Sequence, residues 1–456
     1  MSDALPPPTA GATAPVRLLV SGDLHLGRAP SRVPAGDRSL SVEAVVRALV
    51  DRAIEQRPDA VVLTGDLADA DNKLFEAYGI LERQLRRLAA AEIPVVMVAG
   101  NHDHDVAARL ADALSDEVGG AAGSGAPITL LGRGQTWETM TLRRDGRDVL
   151  RLAGWSFAGP HHTESPLAGF PSLPGDVPTV GVLHADLDAS ASDYAPVGLA
   201  ELRSKPVAVW LLGHIHKPVL LDATSDSGGG APVLYPGSPQ PLSPKERGRH
   251  GAWMVEVSPG RVAARMVPLA TIRYDRLAAD LTDAADRPEM RARVLDAVRE
   301  RAAAARAEAP GLRHLCLRLT LDGRTPAFAE AEALAAELRA ETSLSAGGLG
   351  VTLDGVLSAV RPARDLARLA AGSGPVASLA GLAQRLDAAE TPDALAPADR
   401  RLLATATEGV RTARRARPFG ALLDAERLAG DAEAEALRRL RHQTFRLLDA
   451  TLAQTT

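Results

Sequence analysis

The chain has 456 residues, a formal net charge of −5, and 46% apolar residues of which few are aromatic. That length holds two or three domains with ample core, and the acidic balance gives no global signal for nucleic acid, so a polyanion would have to be held by bound metal or clustered arginines. The lone Cys316 excludes an internal disulfide and fits a reducing cytosol; the Pro/Ala/Thr-rich start lacks the features of a signal peptide, and no apolar run approaches the ~20 residues that span a bilayer.

Residues 1–14 read as a disordered tail. From Val16 to about Val267 strands and helices alternate, which predicts a layered α/β domain over 15–267. Helical spacing appears over Ser41–Gln56, with Val42, Val45, Val46 and Leu49, and again over Leu74–Ala90 and Val106–Leu114. Gly119–Pro127 is a Gly/Ala loop. Thr136–Met140 and Val149–Leu152 flank Asp145-Gly146, a hairpin signal. Gly159–Pro178, rich in Pro, Gly and His, reads as a surface loop near the rim of a sheet, and strands then dominate, with a Gly-rich tip at Ser227–Gly230. Two sheets packed face to face with helices outside are expected. After Pro268 the pattern strand (Ile272–Leu277), helix (Glu289–Glu308), strand (His314–Leu321), helix (Phe328–Arg339), strand (Leu349–Leu353) predicts a small α/β domain over 268–355. Residues 356–456 are Ala/Leu/Arg-rich and helical, broken at Gly372–Pro375 and at Thr391-Pro392. Leu437, Leu440, Thr444, Leu447, Leu448 and Leu452 form an apolar stripe there, and Arg411, Arg414, Arg415 and Arg417 a basic cluster.

Five strand-like runs end in the same chemistry. They lead into Asp23-Leu24-His25, Gly65-Asp66, Gly100-Asn101-His102-Asp103, His184 and Gly213-His214-Ile215-His216. In α/β folds the carboxyl ends of strands form the rim where ligands bind. Carboxylate, imidazole and amide oxygen together suit Mn²⁺, with Fe²⁺ or Zn²⁺ as alternatives, and no thiolate is offered. The donors exceed what one ion needs and suffice for two, with Asp66 as the natural shared carboxylate. A lone histidine at a strand end is usually only a hydrogen-bonded surface residue; the full ordered set is hard to obtain by chance. Asp66 and Asp103 each have a structural alternative as caps of the helices that follow, and for Asp103 that role is preferred. Arg28, His104 and Lys217, beside the motifs, are candidate phosphate contacts. His161 and His162 read as solvated loop residues.

These motifs, complete and in order over 16–267, resemble the calcineurin-like metallophosphoesterase signature. The resemblance implies Asp23, His25, Asp66 and His216 on one metal, Asp66, Asn101, His184 and His214 on the other, and His102 as the acid that serves the leaving oxygen. Asp23-Leu24-His25-Leu26-Gly27-Arg28 and Tyr235-Pro236-Gly237-Ser238-Pro239-Gln240 are similar to the SbcD-type nucleases of double-strand break repair. His184 through Tyr194-Ala195-Pro196, and Gly65-Asp66-Leu67 through Asp71-Asn72-Lys73, resemble a YhaO-like bacterial branch. What the resemblance implies is a metallophosphoesterase fold followed by a small α/β capping domain and a helical partner-binding region. It further implies a two-metal (Mn²⁺) DNA exonuclease paired with an SbcC-like coiled-coil ATPase, cytoplasmic and nucleoid-associated when on DNA, with a homodimer left open. A stand-alone hydrolase of small phosphoesters, or a scaffold that mainly holds the ATPase, are the rival readings.

Overall fold

The computed structural model describes residues 14–69, 76–119, 128–189, 191–222, 230–341, 343–389, 391–415 and 432–455. Residues 1–13, Asp71-Asn72-Lys73, most of the loop before Pro127, the Ser227–Gly229 tip, Arg417 and the side chains of Arg414 and Arg415 lie outside the described residues. The chain forms two compact units, Met1–Gly323 with Ala329–Val360, and Arg324–Phe328 with Arg361–Thr456. No helix among the described residues is long and apolar enough to cross a membrane.

In the first unit, β1 (Val16–Ser21), α1 (Val42–Gln56), β2 (Ala60–Leu63), α2 (Glu76–Ala90), β3 (Val95–Met97), α3 (His104–Gly119) and β4 (Ile128–Leu130) wind a parallel half-sheet. The hairpin of β5 (Glu138–Arg144) and β6 (Arg147–Trp155) starts a second sheet, which β7 (Thr179–His184), α4 (Leu199–Ser204), β8 (Val209–Gly213), β9 (Val219–Leu221) and β10 (Val233–Tyr235) continue. The chain then returns through β11 (Gly251–Ser258) and β12 (Arg261–Pro268) to the first sheet. The six-stranded orders are β12-β11-β1-β2-β3-β4 and β5-β6-β7-β8-β10-β9.

The period of two along each strand sorts the side chains. Leu18, Val20, Val62 and Val96 point into the layer between the sheets and meet Leu152, Val180, Val182 and Leu211. Leu19, Val61, Leu63 and Val95 point the other way, onto Val45, Val46 and Leu49 of α1 and Leu81, Leu85 and Leu88 of α2. Both faces are buried, which is why these strands read as continuous apolar runs rather than as alternation.

β13 (Ile272–Asp280), α5 (Arg287–Glu308), β14 (His314–Asp322), β15 (Arg324–Thr325), α6 (Phe328–Ala340), β16 (Ser343–Ala346) and β17 (Leu349–Ser358) follow. Four of them make a sheet in the order β13-β14-β17-β16. The residue-355 boundary expected from composition falls inside β17, which pairs with β14 as far as Ser358. This sheet holds the segment that follows the first motif. The Tyr274 hydroxyl donates to Ser31 O at 2.5 Å, the Cys316 thiol to Arg32 O at 3.3 Å, and Asp354 takes Arg32 Nε at 3.2 Å. Burial pushes the Cys316 thiol up to about 12, so it stays protonated in that contact.

The second unit pairs β15 with β18 (Arg361–Pro362) and packs α7 (Leu366–Ala370), α8 (Gly374–Ala388), α9 (Pro397–Arg415) and α10 (Ala432–Thr455). The apolar stripe of α10 is covered from within this unit. Leu437 and Leu440 pack with Leu386, Leu403 and Val410, while Leu448 and Leu452 pack with Ala380, Ala383 and Leu379. Only Leu447 of the stripe stays out, 57% exposed, and Leu402 on α9 is 45% exposed.

Candidate metal centre

Parallel pairing of β1, β2 and β3 in one sheet, and of β7 and β8 in the other, sets their carboxyl ends side by side. The turns that leave these ends are locked to one another: Asp23 N–H donates to Gly65 O at 2.9 Å, His25 N–H to Asp66 O at 3.0 Å, and His214 N–H to Asp23 Oδ1 at 2.9 Å. Asp23, His25, Asp66 and His214 all take left-handed backbone, with φ of 48°, 46°, 53° and 95°. Such conformations cost on the order of 1–3 kcal/mol each for non-glycine residues and persist where the surroundings over-determine them.

The motif glycines are there because the turns touch. A Cβ on Gly100 would lie 2.1 Å from Asp66 Oδ1, and one on Gly213 would lie 2.1 Å from Thr64 O. Gly100→Ala is therefore expected to displace Asp66 and strip bound metal. Metal analysis beside a melting curve checks this; a variant with full metal content would show that the turn has room to spare.

Within this frame Asp66 lies between two imidazole groups. Its Oδ2 is 3.4 Å from His184 Nε2 and 3.8 Å from His25 Nε2. Asn101 Oδ1 is 3.1 Å from the same His184 nitrogen, and the His214 ring sits edge-on to His184 at 5.3 Å. On the other side His25 Nε2 faces His216 Nε2 at 3.0 Å. The donor atoms of Asp23, His25 and His216 lie within 4.8 Å of one another, as do those of Asp23, Asp66 and His184, and those of His25, Asp69 and His102.

The donors fit divalent cations. His184 Nδ1 is satisfied by Thr64 O at 3.0 Å, which leaves its Nε2 lone pair aimed at the oxygens of Asn101 and Asp66, acceptors all. His216 Nδ1 is turned to Glu246 Oε1 at 3.3 Å, so its Nε2 likewise presents a lone pair to the His25 ring. Asp23 Oδ2 is buried without a partner. Lone pairs crowded together out of water are costly unless a cation sits among them.

The titration of the site follows from the same crowding. Burial drives the Asp23 carboxyl up, against the nearby His184 and His216. For Asp66 burial acts in the same direction but is outweighed by His184, His25 and His102, which hold it below its ordinary range. Burial pulls His184 down, yet Asp66 and Asp23 push it up to about 9, so without a cation a proton takes the Nε2 position that a metal would otherwise occupy. Desolvation and the neighbouring His184 push the half-buried His214 down to about 3.

His102 is placed differently from the ligand-like set. Its N–H donates to Asp66 Oδ1 at 3.0 Å, its ring stands perpendicular to His25 at 5.1 Å, and its side chain is 34% exposed. Burial lowers it from its ordinary range, with Asp66 opposing. Its Nδ1 is 4.0 Å from Asp69 Oδ1, and that oxygen is also 3.6 Å from His25 Nδ1. Asp69 was not among the candidates read from the sequence. Its signal, an Asp three residues after Gly65-Asp66, is too short to stand out alone. Glu246 was missed as well, because it lies in a Pro-rich loop 30 residues from its partner His216.

The preferred role of Asp103 is corrected. Its carboxylate does not cap α3: Oδ2 accepts from Leu67 N at 2.6 Å and Oδ1 from Gly100 N at 2.8 Å, so it ties the second motif to the third. Burial, with Asp66 close by, pushes it up to about 6. Asp66 does not cap a helix either; its Oδ1 takes the His102 N–H. Arg28 is exposed, and its charge reaches Asp69. His104 opens α3 beside Asp105 at 3.7 Å, and Lys217 is half-buried next to His216. His162 rests on the Trp155 ring at 4.8 Å. His161 is linked to the rim through Tyr194, whose ring is 5.8 Å from His161 and 5.0 Å from His214.

Comparison with known proteins agrees with this geometry. Residues 16–218 match the calcineurin-like phosphoesterase family, and residues 274–361 match the middle domain of the metallophosphoesterase YhaO. The metallophosphoesterase YhaO of Bacillus subtilis is 27% identical over 251 residues, 54% of this chain and 56% of that one. The DNA double-strand break repair protein Mre11 of Sulfurisphaera tokodaii is 33% identical over 87 residues, 19% of this chain and 22% of that one. The SbcD component of the nuclease SbcCD of Staphylococcus epidermidis is 30% identical over 90 residues, 19% of this chain and 23% of that one. The matches thus span about half the length of the first of these relatives and less than a quarter of the other two. The motif residues gathered on one rim and the two matches in sequence order make residues 16–218 a calcineurin-like metallophosphoesterase domain, followed over 274–361 by a YhaO-like middle domain.

Proposed function

We propose that this protein is a two-metal phosphodiesterase that cleaves DNA ends, with Mn²⁺ as the working ion. The observation that carries the reading is the position of Asp66, whose Oδ2 lies 3.4 Å from His184 Nε2 and 3.8 Å from His25 Nε2. Asp23, His25, Asp66 and His216 would hold one ion, and Asp66, Asn101, His184 and His214 the second. Bound there, such a pair would supply an activated water and neutralise charge on the phosphoryl oxygens. The rest falls to the chain. The charge of Asp69, 4.0 Å from His102 Nδ1, and the anionic phosphodiester favour the imidazolium that burial alone disfavours. His102 then passes a proton to the leaving oxygen. Arg28, exposed and with its charge felt by Asp69, would meet the adjoining phosphate. DNA as the substrate is supported by the kinship with Mre11 and with the SbcD component of SbcCD.

A digestion assay in Mn²⁺, with end-labelled duplex DNA beside bis(p-nitrophenyl) phosphate, tests it. DNA shortened from its ends is expected. Rapid turnover of the small ester with untouched DNA would overturn the substrate assignment.

In the same reading the second unit docks an SbcC-like coiled-coil ATPase. Because the α10 stripe is covered by α8 and α9, docking falls to Leu447 and Leu402, the large apolar side chains left exposed in that unit among the described residues. Leu402→Glu with Leu447→Glu is expected to abolish co-purification of the ATPase and leave hydrolysis of the small ester unchanged. Undiminished co-purification would remove the docking assignment. A homodimer belongs to the same proposal, and light scattering of the purified chain decides it.

A further inference from the structure

Away from the metal centre, a cleft of about 810 Å³ opens along the flank of the first sheet. Its walls are α1, the edge strand β12 and the Pro310–Arg313 turn between α5 and β14. A cavity of that size is typical of sites for small organic ligands. None of its lining residues belongs to the metal centre.

The charge of the cleft is one-sided. Arg38, Arg47, Arg52, Arg265 and Arg313 line it, and Glu43 is the one carboxylate among the residues that do. Glu43 is already engaged by Arg47 at 3.2 Å and Arg83 at 3.6 Å. No carboxylate of a described residue lies within ion-pair distance of Arg38, Arg265 or Arg313. Elsewhere this chain neutralises helix arginines in place, as in Arg86–Glu82, Arg293–Glu289 and Arg439–Glu435. In the cleft the α1 arginines keep that habit, Arg47 with Glu43 and Arg52 with Glu55 at 3.1 Å, whereas Arg38, Arg265 and Arg313, which lie off α1, have no such partner among the described residues in a protein whose net charge is −5.

Its floor is apolar. Ala44 and Ala48 on α1 keep the space open, and Val267, on the same face of β12 as Arg265, backs it. Guanidinium groups spread along a groove match the several oxygens of a phosphate chain, each by paired N–H donors. A flat apolar body attached to that chain would lie against Ala44, Ala48 and Val267. We propose that this cleft binds a nucleotide carrying two or more phosphates, with the phosphates on the arginines and the base on the apolar floor.

The test uses the full-length protein treated with EDTA, so that nucleotide cannot be held through cations at the metal centre. Calorimetric titrations with ATP, with inorganic tripolyphosphate and with a single-stranded oligonucleotide are compared. ATP is expected to bind more tightly than tripolyphosphate, and Arg265→Ala and Arg313→Ala are each expected to weaken ATP by about tenfold, as for a lost hydrogen bond to a charged group. Arg143→Ala, on the β5–β6 hairpin, is the control and should leave binding unchanged. These arginines are exposed, so melting temperatures should match the wild type. Equal binding of tripolyphosphate would overturn the base-binding part. Tighter binding of the oligonucleotide would make the cleft a nucleic-acid track instead. Absent ATP binding, or ATP binding indifferent to Arg265 and Arg313, would remove the site.

Discussion

His102→Ala is expected to cut phosphodiester turnover by about 10²–10⁴-fold, the usual worth of general acid catalysis, while bound metal stays near the wild-type content. The two effects separate because His102 reaches the centre mainly through its backbone: its N–H holds Asp66 Oδ1 at 3.0 Å, a bond the alanine variant keeps. Its ring instead stands at the mouth of the site, half-exposed, with Nδ1 toward Asp69. A substrate with a good leaving group, such as p-nitrophenol, needs no proton, so the loss should shrink sharply on that ester. A variant that loses metal together with activity, or an equal loss on both substrates, would move His102 from proton transfer to metal binding.

Asp66→Ala should do more damage than any single histidine change. Its carboxylate faces His184 and His25 from one position and also accepts the His102 N–H, so alanine removes the shared negative charge and loosens the third motif. Loss of both ions and of turnover below detection is expected. His25→Ala, which removes a ligand assigned to one ion only, should retain about half the wild-type metal. Calorimetric titration with Mn²⁺ separates these cases, and an Asp66→Ala protein that still takes up one ion tightly would show that the carboxylate is not shared.

Much of this site was legible because it depends on local pattern. Each ligand-like residue follows a short apolar strand, and parallel strands have nowhere to put their carboxyl ends except one rim. The glycines of the motifs were legible as residues but not as reasons; that Gly100 exists to let Asp66 pass 2.1 Å from where a Cβ would stand is a fact of tertiary approach. Asp103 shows the limit more sharply. Its place before a helix argues for a cap, yet its carboxylate finds the Leu67 N–H 36 residues away, a competitor that no window of sequence contains. Glu246 and Asp69 escaped for the same cause, since what marks them is the imidazole they face. The α10 stripe illustrates a further gap: periodicity reveals an apolar face, but whether α8 and α9 or another protein covers it depends on chain geometry.

A divalent pair sharing Asp66 is the centre of this reading, and equilibrium binding of Mn²⁺ to the EDTA-stripped wild-type chain measures it directly. Two ions per chain at saturation are expected. One ion per chain at saturating Mn²⁺ would contradict the two-metal centre and with it the assigned roles of Asn101, His184 and His214.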